Sequence, residues 1–384
     1  MIRGYVISDI HFGSISSDKL NNELNEVFFK KLEHDKKQVD MVVIAGDLTD
    51  HKLSFNSQDS KSCINFIERL VKLSQTKNFS IRVIKGTRNH DLDQLNNFLY
   101  LQERSDIDFK IINKVTIETL KENKILYLPE EYIEDIDEYY KDYFNQEYDL
   151  CFFHGTFAHV EYVSKIIESE KSMLNAPIFS YSTMAEKVRG PIIGGHIHIM
   201  QSYKKKVYYT GSFSRWKMSE EKDKGYLIFT YDNTSNDYSV NTVKNTLASK
   251  FVTVNLEDLI DIEDLSEKLD ESVKAIRSWK DSSNIEHLRI ITENSDEEYL
   301  TNFNLIRNYF LENNENNIKF SSKNSLSSRT TYIDKQEEEN LLEEQYSFIF
   351  KKNLDLPKRI SKYLVIHDNI KLTEEVIKDL LYSE

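Results

Sequence analysis

Five short apolar runs in this chain each lead into Asp, Asn or His, residue types that can bind metal ions. "RGYVIS" is followed by Asp9 and His11, "MVVIAG" by Asp47, and "SIRVI" by a loop holding Asn89 and His90. "DLCFF" is followed by His154, and "PIIGG" by His196 and His198. Runs of that length and composition read as buried strands, and in an α/β sheet the carboxyl ends of strands are where sites form. A single Asp or His at a strand end usually caps a helix or shapes a turn, so the recurrence is what carries weight. Asp9 and His11 are two residues apart, as are His196 and His198, and an extended backbone sends both members of such a pair to one side.

The segments between these runs set the fold class. Leu20, Leu24, Val27, Phe28 and Leu32 have helical spacing, as do Ile64, Ile67, Leu70 and Val71. Strand and helix therefore alternate over the first 85 or so residues, the rhythm of a sheet covered by helices. Later strands, at 124–128, 148–155, 190–196, 205–211 and 225–231, lie too close together for intervening helices throughout. Part of the sheet system is thus expected to be antiparallel, giving an α/β sandwich of mixed sheets flanked by helices. The character changes near residue 250. A strand–helix–strand–helix–strand unit over 251–320 reads as a smaller capping domain behind a main domain at 1–250. Residues 321–384 read as a polar linker and a helical tail, whose apolar stripe (Leu372, Val376, Ile377, Leu380, Leu381) must pack on its own domain or on a partner.

The ligand set is Asp, His and Asn without Cys, which suits Mn²⁺, Fe or Zn²⁺ in a mixed nitrogen and oxygen site, with Mg²⁺ as a further candidate. There are more ligands than one ion needs, and Asp47 is placed to bridge two. Paired ions generate a hydroxide and stabilise the attacking and leaving oxygens of a phosphorus ester. In "GTRNHD", Asn89 is expected to bind metal through its amide oxygen while His90 faces the substrate as proton donor. Asp91 is expected to orient the His90 ring. His51 and His159 are candidates for the rim of the site, whereas His34, His287 and His367 have no such context.

Two cysteines, Cys63 and Cys151, exclude a disulfide scaffold and a Cys-rich metal site, and both read as buried small hydrophobes. The opening stretch has no secretory pattern and no 18-residue apolar stretch occurs, so a soluble cytoplasmic protein without membrane contact is expected (host cytoplasm, if phage-encoded). The formal net charge of −14 argues against non-specific nucleic-acid binding. That argument is blunted because metal ions cancel the carboxylates that hold them.

The ordered motifs "SDIHFG", "GDLTDH", "GTRNHD", "FFHGT" and "GGHIH" resemble those of the calcineurin-like metallophosphoesterases. Within that superfamily the chain resembles the nuclease subunit of the SbcCD/Mre11–Rad50 type, including bacteriophage-encoded forms. "VYYTGSFSRWKMSEEKDKGYLIF" supports that branch. The resemblance implies one ion held by Asp9, His11, Asp47 and His198, and another by Asp47, Asn89, His154 and His196, with His90 catalytic and Mn²⁺ preferred. It implies a DNA nuclease, endo- or exonucleolytic, of DNA repair or recombination. DNA and an SbcC/Rad50-like ABC-type ATPase docked by the tail are the implied partners, and a homodimer is compatible with it. The alternatives are a nucleotide or small-molecule phosphodiesterase and a non-catalytic scaffold for DNA ends or a partner. One departure stands out: two residues, Thr87 and Arg88, separate Gly86 from Asn89, where the family pattern is a compact G-N-H-D.

Overall fold

The structure is a computed structural model that describes residues 1–322 apart from 92, 132, 134–135, 158–177, 218–219, 261–268, 284, 293, 295 and 316. His159, most of the expected linker and the whole helical tail lie outside the described residues.

Strands β1 (Ile2–Ile7), β2 (Met41–Ala45), β3 (Ser80–Ile84) and β4 (Phe109–Ile112) pair in parallel. Next come β5 (Thr116–Leu120), β6 (Asn123–Leu128) and β7 (Leu150–His154), the two-stranded pair β8 (Thr156–Phe157) and β9 (Ile178–Phe179), then β10 (Ile192–Gly195), β11 (Gln201–Tyr203) and β12 (Val207–Tyr209). Strands β13 (Gly225–Asp232) and β14 (Asp237–Lys244) return antiparallel beside β1. The result is two six-stranded sheets, ordered β14-β13-β1-β2-β3-β4 and β11-β12-β10-β7-β6-β5. Both mix parallel and antiparallel pairs, as the spacing of the later strands anticipated.

Side-chain alternation explains why the central strands are apolar throughout: both faces are covered. From β2, Met41, Val43 and Ala45 join Tyr127, Phe152 and Ile193 in the core between the sheets. Val42 and Ile44 face the opposite way, into a core completed by helix residues. From β7, Cys151 and Phe153 enter a third core on the far side of the second sheet. Both cysteines are buried and free.

Helix α1 (Ser17–Glu23) continues through a π-helical stretch (Leu24–Phe29) into α2 (Lys30–His34), and buries Leu20, Leu24, Phe28 and Leu32. Helix α3 (Gln58–Lys77) starts where the Ser57 hydroxyl accepts from Ser60 N and stops at Asn78 in the left-handed conformation. Its stripe Cys63, Phe66, Ile67, Leu70 and Val71 covers the first sheet.

Strands β15 (Phe251–Asn255), β16 (His287–Thr292) and β17 (Ile318–Ser322) form a three-stranded sheet, with helices Leu269–Ser282 and Glu297–Glu312 between them in sequence. This is the element order expected for 251–320. By compactness Met1–Ile290 and Asn302–Phe320 form one unit, to which Ile291–Thr301 does not belong. Within that unit, Lys19 pairs with Glu286 at 2.7 Å and the Arg215 guanidinium donates to the carbonyl of Ser249 at 3.0 Å.

Candidate metal centre

The carboxyl ends of β1, β2 and β3 in one sheet meet those of β6, β7 and β10 in the other. Beyond β1 and β2 the chains stay zipped: Asp9 N donates to Gly46 O (3.0 Å), His11 N to Asp47 O (3.1 Å) and Phe12 N to Leu48 O (3.0 Å). To make these turns Asp9, His11 and Asp47 adopt φ of 48°, 52° and 50°, and His196 adopts 94°. Left-handed backbone at non-glycine residues costs of order 1–3 kcal/mol each and gathers at functional sites. Glycines relieve the closest approaches. A Cβ on Gly46 would lie 2.0 Å from His154 Nδ1, and one on Gly86 would lie 2.2 Å from Asp47 Oδ1.

Three groups have ligand atoms within 4.8 Å of one another: Asp9, His11 and His198; His11, Asp47 and His90; Asp47, His154 and His196. Asp47 turns one oxygen to each side, Oδ2 lying 3.7 Å from His11 Nε2 and Oδ1 3.4 Å from His154 Nε2. Asp9 Oδ1 lies 4.0 Å from His11 Nε2 and 3.7 Å from His198 Nε2. Second contacts set the rings. His154 Nδ1 donates to Ala45 O at 2.8 Å and His198 Nδ1 to Glu220 Oε1 at 2.8 Å, which leaves each Nε2 facing inward.

The buried His11 Nε2, which faces the Asp9 and Asp47 carboxylates, has no hydrogen-bond partner among the described residues. An unpaired buried ring nitrogen is costly unless it meets a cation, so this donor fits a divalent metal ion. The electrostatics agree. Burial raises the Asp47 carboxyl, but His154, His11 and His90 outweigh it and hold the group well below the usual carboxylate range. Burial lowers His154, yet Asp47, then Asp9 and Glu130, drive it well above the usual imidazole range. The proton drawn there answers the same demand for positive charge that a divalent ion meets.

The loop after β3 differs from its sequence-based reading. Gly86 N donates to Asp91 Oδ2 at 2.8 Å, closing the loop, and residues Arg88–Asp91 wind into one helical turn, α4. The two extra residues thereby bring Thr87 to the cluster. Its N–H donates to Asp47 Oδ1 (2.6 Å), and its hydroxyl lies 3.1 Å from Asp47 Oδ2 and 3.4 Å from His154 Nε2. Asn89 is exposed. Asp91 does not hold the His90 ring: its carboxylate is taken by the backbone N–H groups of Leu48, Thr49 and Gly86. Burial and the charge of Asp47 push it up to about 7. The contact that sets the ring is His90 Nδ1 to the carbonyl of Asp50. His90 stands edge-on to His11, with ring centroids 4.5 Å apart. His51 is exposed and lies 3.1 Å from Asp50 Oδ2.

Several participants escaped the sequence reading. Glu130, two residues past β6, lies 3.3 Å from His196 Nδ1 and 3.7 Å from His154 Nε2. It follows an apolar strand as the other ligands do, and that was the available signal. Asp50 Oδ1 lies 3.3 Å from His11 Nδ1 and is held down to about 2, chiefly by that contact. Glu220, raised by burial but lowered further by His198 and Lys224, sits at about 2. Its second oxygen accepts from Trp216 N at 3.0 Å, and the Trp216 ring lies 4.3 Å from that of His11.

The calcineurin-like phosphoesterase family matches this chain over residues 2–200, just over half of its 384 residues. No curated protein matches it. One solved crystal structure is 15% identical with a TM-score of 0.34, covering 63% of this chain and 98% of its own. Another, the protein of unknown function AQ665 from Aquifex aeolicus, is 24% identical with a TM-score of 0.20, covering 42% of this chain and 80% of its own. The length of the family match and the buried Asp and His cluster at the strand ends show that the chain belongs to the calcineurin-like phosphoesterases, which are metal-dependent hydrolases.

Proposed function

We propose that the chain is a two-metal DNA nuclease. The observation that carries the two-ion reading is Asp47, whose two oxygens face separate groups of ligands. Asp9, His11, Asp47 and His198 would hold one divalent ion and Asp47, His154 and His196 a second, and such a pair would supply a nucleophile from water and stabilise the charge of a phosphodiester under attack. Mn²⁺ is the preferred ion, by resemblance. His90 acts from the substrate side. With Nδ1 held by the Asp50 carbonyl, its Nε2 is left to hydrogen-bond a phosphoryl oxygen or protonate the leaving oxygen.

DNA as substrate is supported by the segment after β12, which resembles the nuclease branch. In it Lys224 Nζ donates to His198 O (2.9 Å) and to Ser212 Oγ (2.6 Å), so the Glu and Lys-Gly of that segment brace a ligand histidine. A capping role for 251–320, and a tail that docks on the coiled coil of an ABC-type ATPase, belong to the same proposal and rest on the resemblance.

A second reading has its own support. A cavity of about 490 Å³, lined by Lys85, Arg88 and Lys114 and also by Asp93, Glu130 and Glu131, has the size for a nucleotide-sized phosphodiester. Incubating the chain and Mn²⁺ with single- and double-stranded DNA, and separately with cyclic nucleotides, decides between them. Cleavage of DNA is expected, whereas turnover of cyclic nucleotides alone would sink the nuclease reading.

A further inference from the structure

We infer that Glu130 is a direct ligand of the ion held between Asp47, His154 and His196, in the position that the sequence pattern gives to Asn89. The inference rests on the two-ion reading of the site and needs no particular substrate. Glu130 is 2% exposed, and Glu130 N donates to Lys85 O at 3.2 Å, which ties the end of β6 to that of β3. Its Oε2 lies 3.3 Å from His196 Nδ1, 3.7 Å from His154 Nε2 and 3.2 Å from the Thr87 hydroxyl. Asp47 Oδ1 lies 3.4 Å from the same His154 nitrogen. Donor atoms about 2.1 Å from one ion stand roughly 3.0–3.4 Å apart at octahedral or tetrahedral angles, so the separations of Glu130 from His196, His154 and Thr87 are each within a few tenths of an ångström of a polyhedron edge.

The tautomer points the same way. His154 Nδ1 carries the proton given to Ala45 O, so in the neutral ring Nε2 presents a lone pair to two carboxylate oxygens. With that ring neutral, as a metal ligand must be, three electron-rich atoms converge in a buried space and a cation among them replaces the proton that His154 otherwise draws. Asn89, by contrast, is exposed on α4. Replacing an amide ligand by a carboxylate adds a negative charge, which strengthens binding of a hard divalent ion and lowers its Lewis acidity.

The test is Mn²⁺ stoichiometry and affinity, read by electron paramagnetic resonance of free Mn²⁺ and by elemental analysis after gel filtration. The wild type is expected to hold two ions. Glu130→Gln is expected to keep one and to weaken the other by more than about 100-fold, beyond the roughly 10–100-fold expected of a residue that only orients a ligand histidine. Asn89→Ala is expected to hold both ions at wild-type affinity. Retention of both ions by Glu130→Gln within that lower range overturns the inference, as does loss of an ion from Asn89→Ala. A wild type that holds a single ion overturns it together with the two-ion reading, whereas failure on DNA alone touches only the nuclease reading.

Discussion

At the scale of single residues, the proposed function separates side chains that gather charge from one that handles protons. Asp47 sits between two sets of donors, so Asp47→Ala removes a ligand from both. His90 has one nitrogen on the Asp50 carbonyl and its ring against His11. Its removal should spare the ions and slow the chemistry. His90→Ala is expected to lower kcat by about 10²–10⁴-fold with Mn²⁺ content unchanged, and Asp47→Ala to abolish turnover with Mn²⁺ lost. Elemental analysis of the two variants side by side checks the division. An ion missing from His90→Ala would make that residue a ligand.

At the scale of elements, the two sheets are tied by a buried cation as well as by their apolar faces. Arg82 on β3 is 1% exposed and reaches Glu118 on β5 through Nε at 2.7 Å and Asp108 through Nη2 at 2.9 Å. Tyr127 on β6 donates to the same Glu118 carboxylate at 2.5 Å. Arg82→Leu leaves that carboxylate to Lys110, 2.7 Å away, and to Tyr127, and is expected to cost about 3 kcal/mol in urea unfolding, the low end for a broken buried pair. Burial raises Glu118, but Arg82 outweighs it and the folded value lies below the ordinary 4.5. The unfolded chain therefore binds the proton first, so this stabilisation is present above about pH 4.5 and is lost as pH falls through the depressed folded value. The urea midpoint of the wild type should drop steeply below that pH and that of Arg82→Leu should drop less, and equal slopes would exclude Glu118 as the source. The strands hardest to read from sequence share a position: β4, β5 and β14 are all edges of their sheets. The solvent-facing sides of edge strands carry polar residues such as Lys110, Thr119 and Asn241, and pairing with a neighbour decides that they are strands.

At the scale of the whole molecule, carboxylates and imidazoles from two sheets gather in a largely buried space, and the fold holds them there against their desolvation. Bound ions offset that cost and stabilise the native state by mass action, about 4 kcal/mol at a thousandfold excess over Kd. Chelation is expected to lower the urea midpoint accordingly, and an unchanged midpoint would mean that the fold owes nothing to the ions. None of the described helices is long and apolar enough to cross a membrane. The sequence by itself determined the sandwich and most of the cluster, because apolar period and strand-end chemistry are local and survive in the order of residues. Asp9, His11, Asp47, His90, His154, His196 and His198 were legible for that reason, and the structure brings them together. Only the tertiary structure decided which side chain of the loop after β3 turns inward, because two extra residues closed by the Asp91 carboxylate carry Thr87 to Asp47 and leave Asn89 exposed. It alone placed Glu130 as well. Whether a lone Glu after a strand meets a histidine depends on which strands become neighbours, and β6 lies beside β7, which ends at His154.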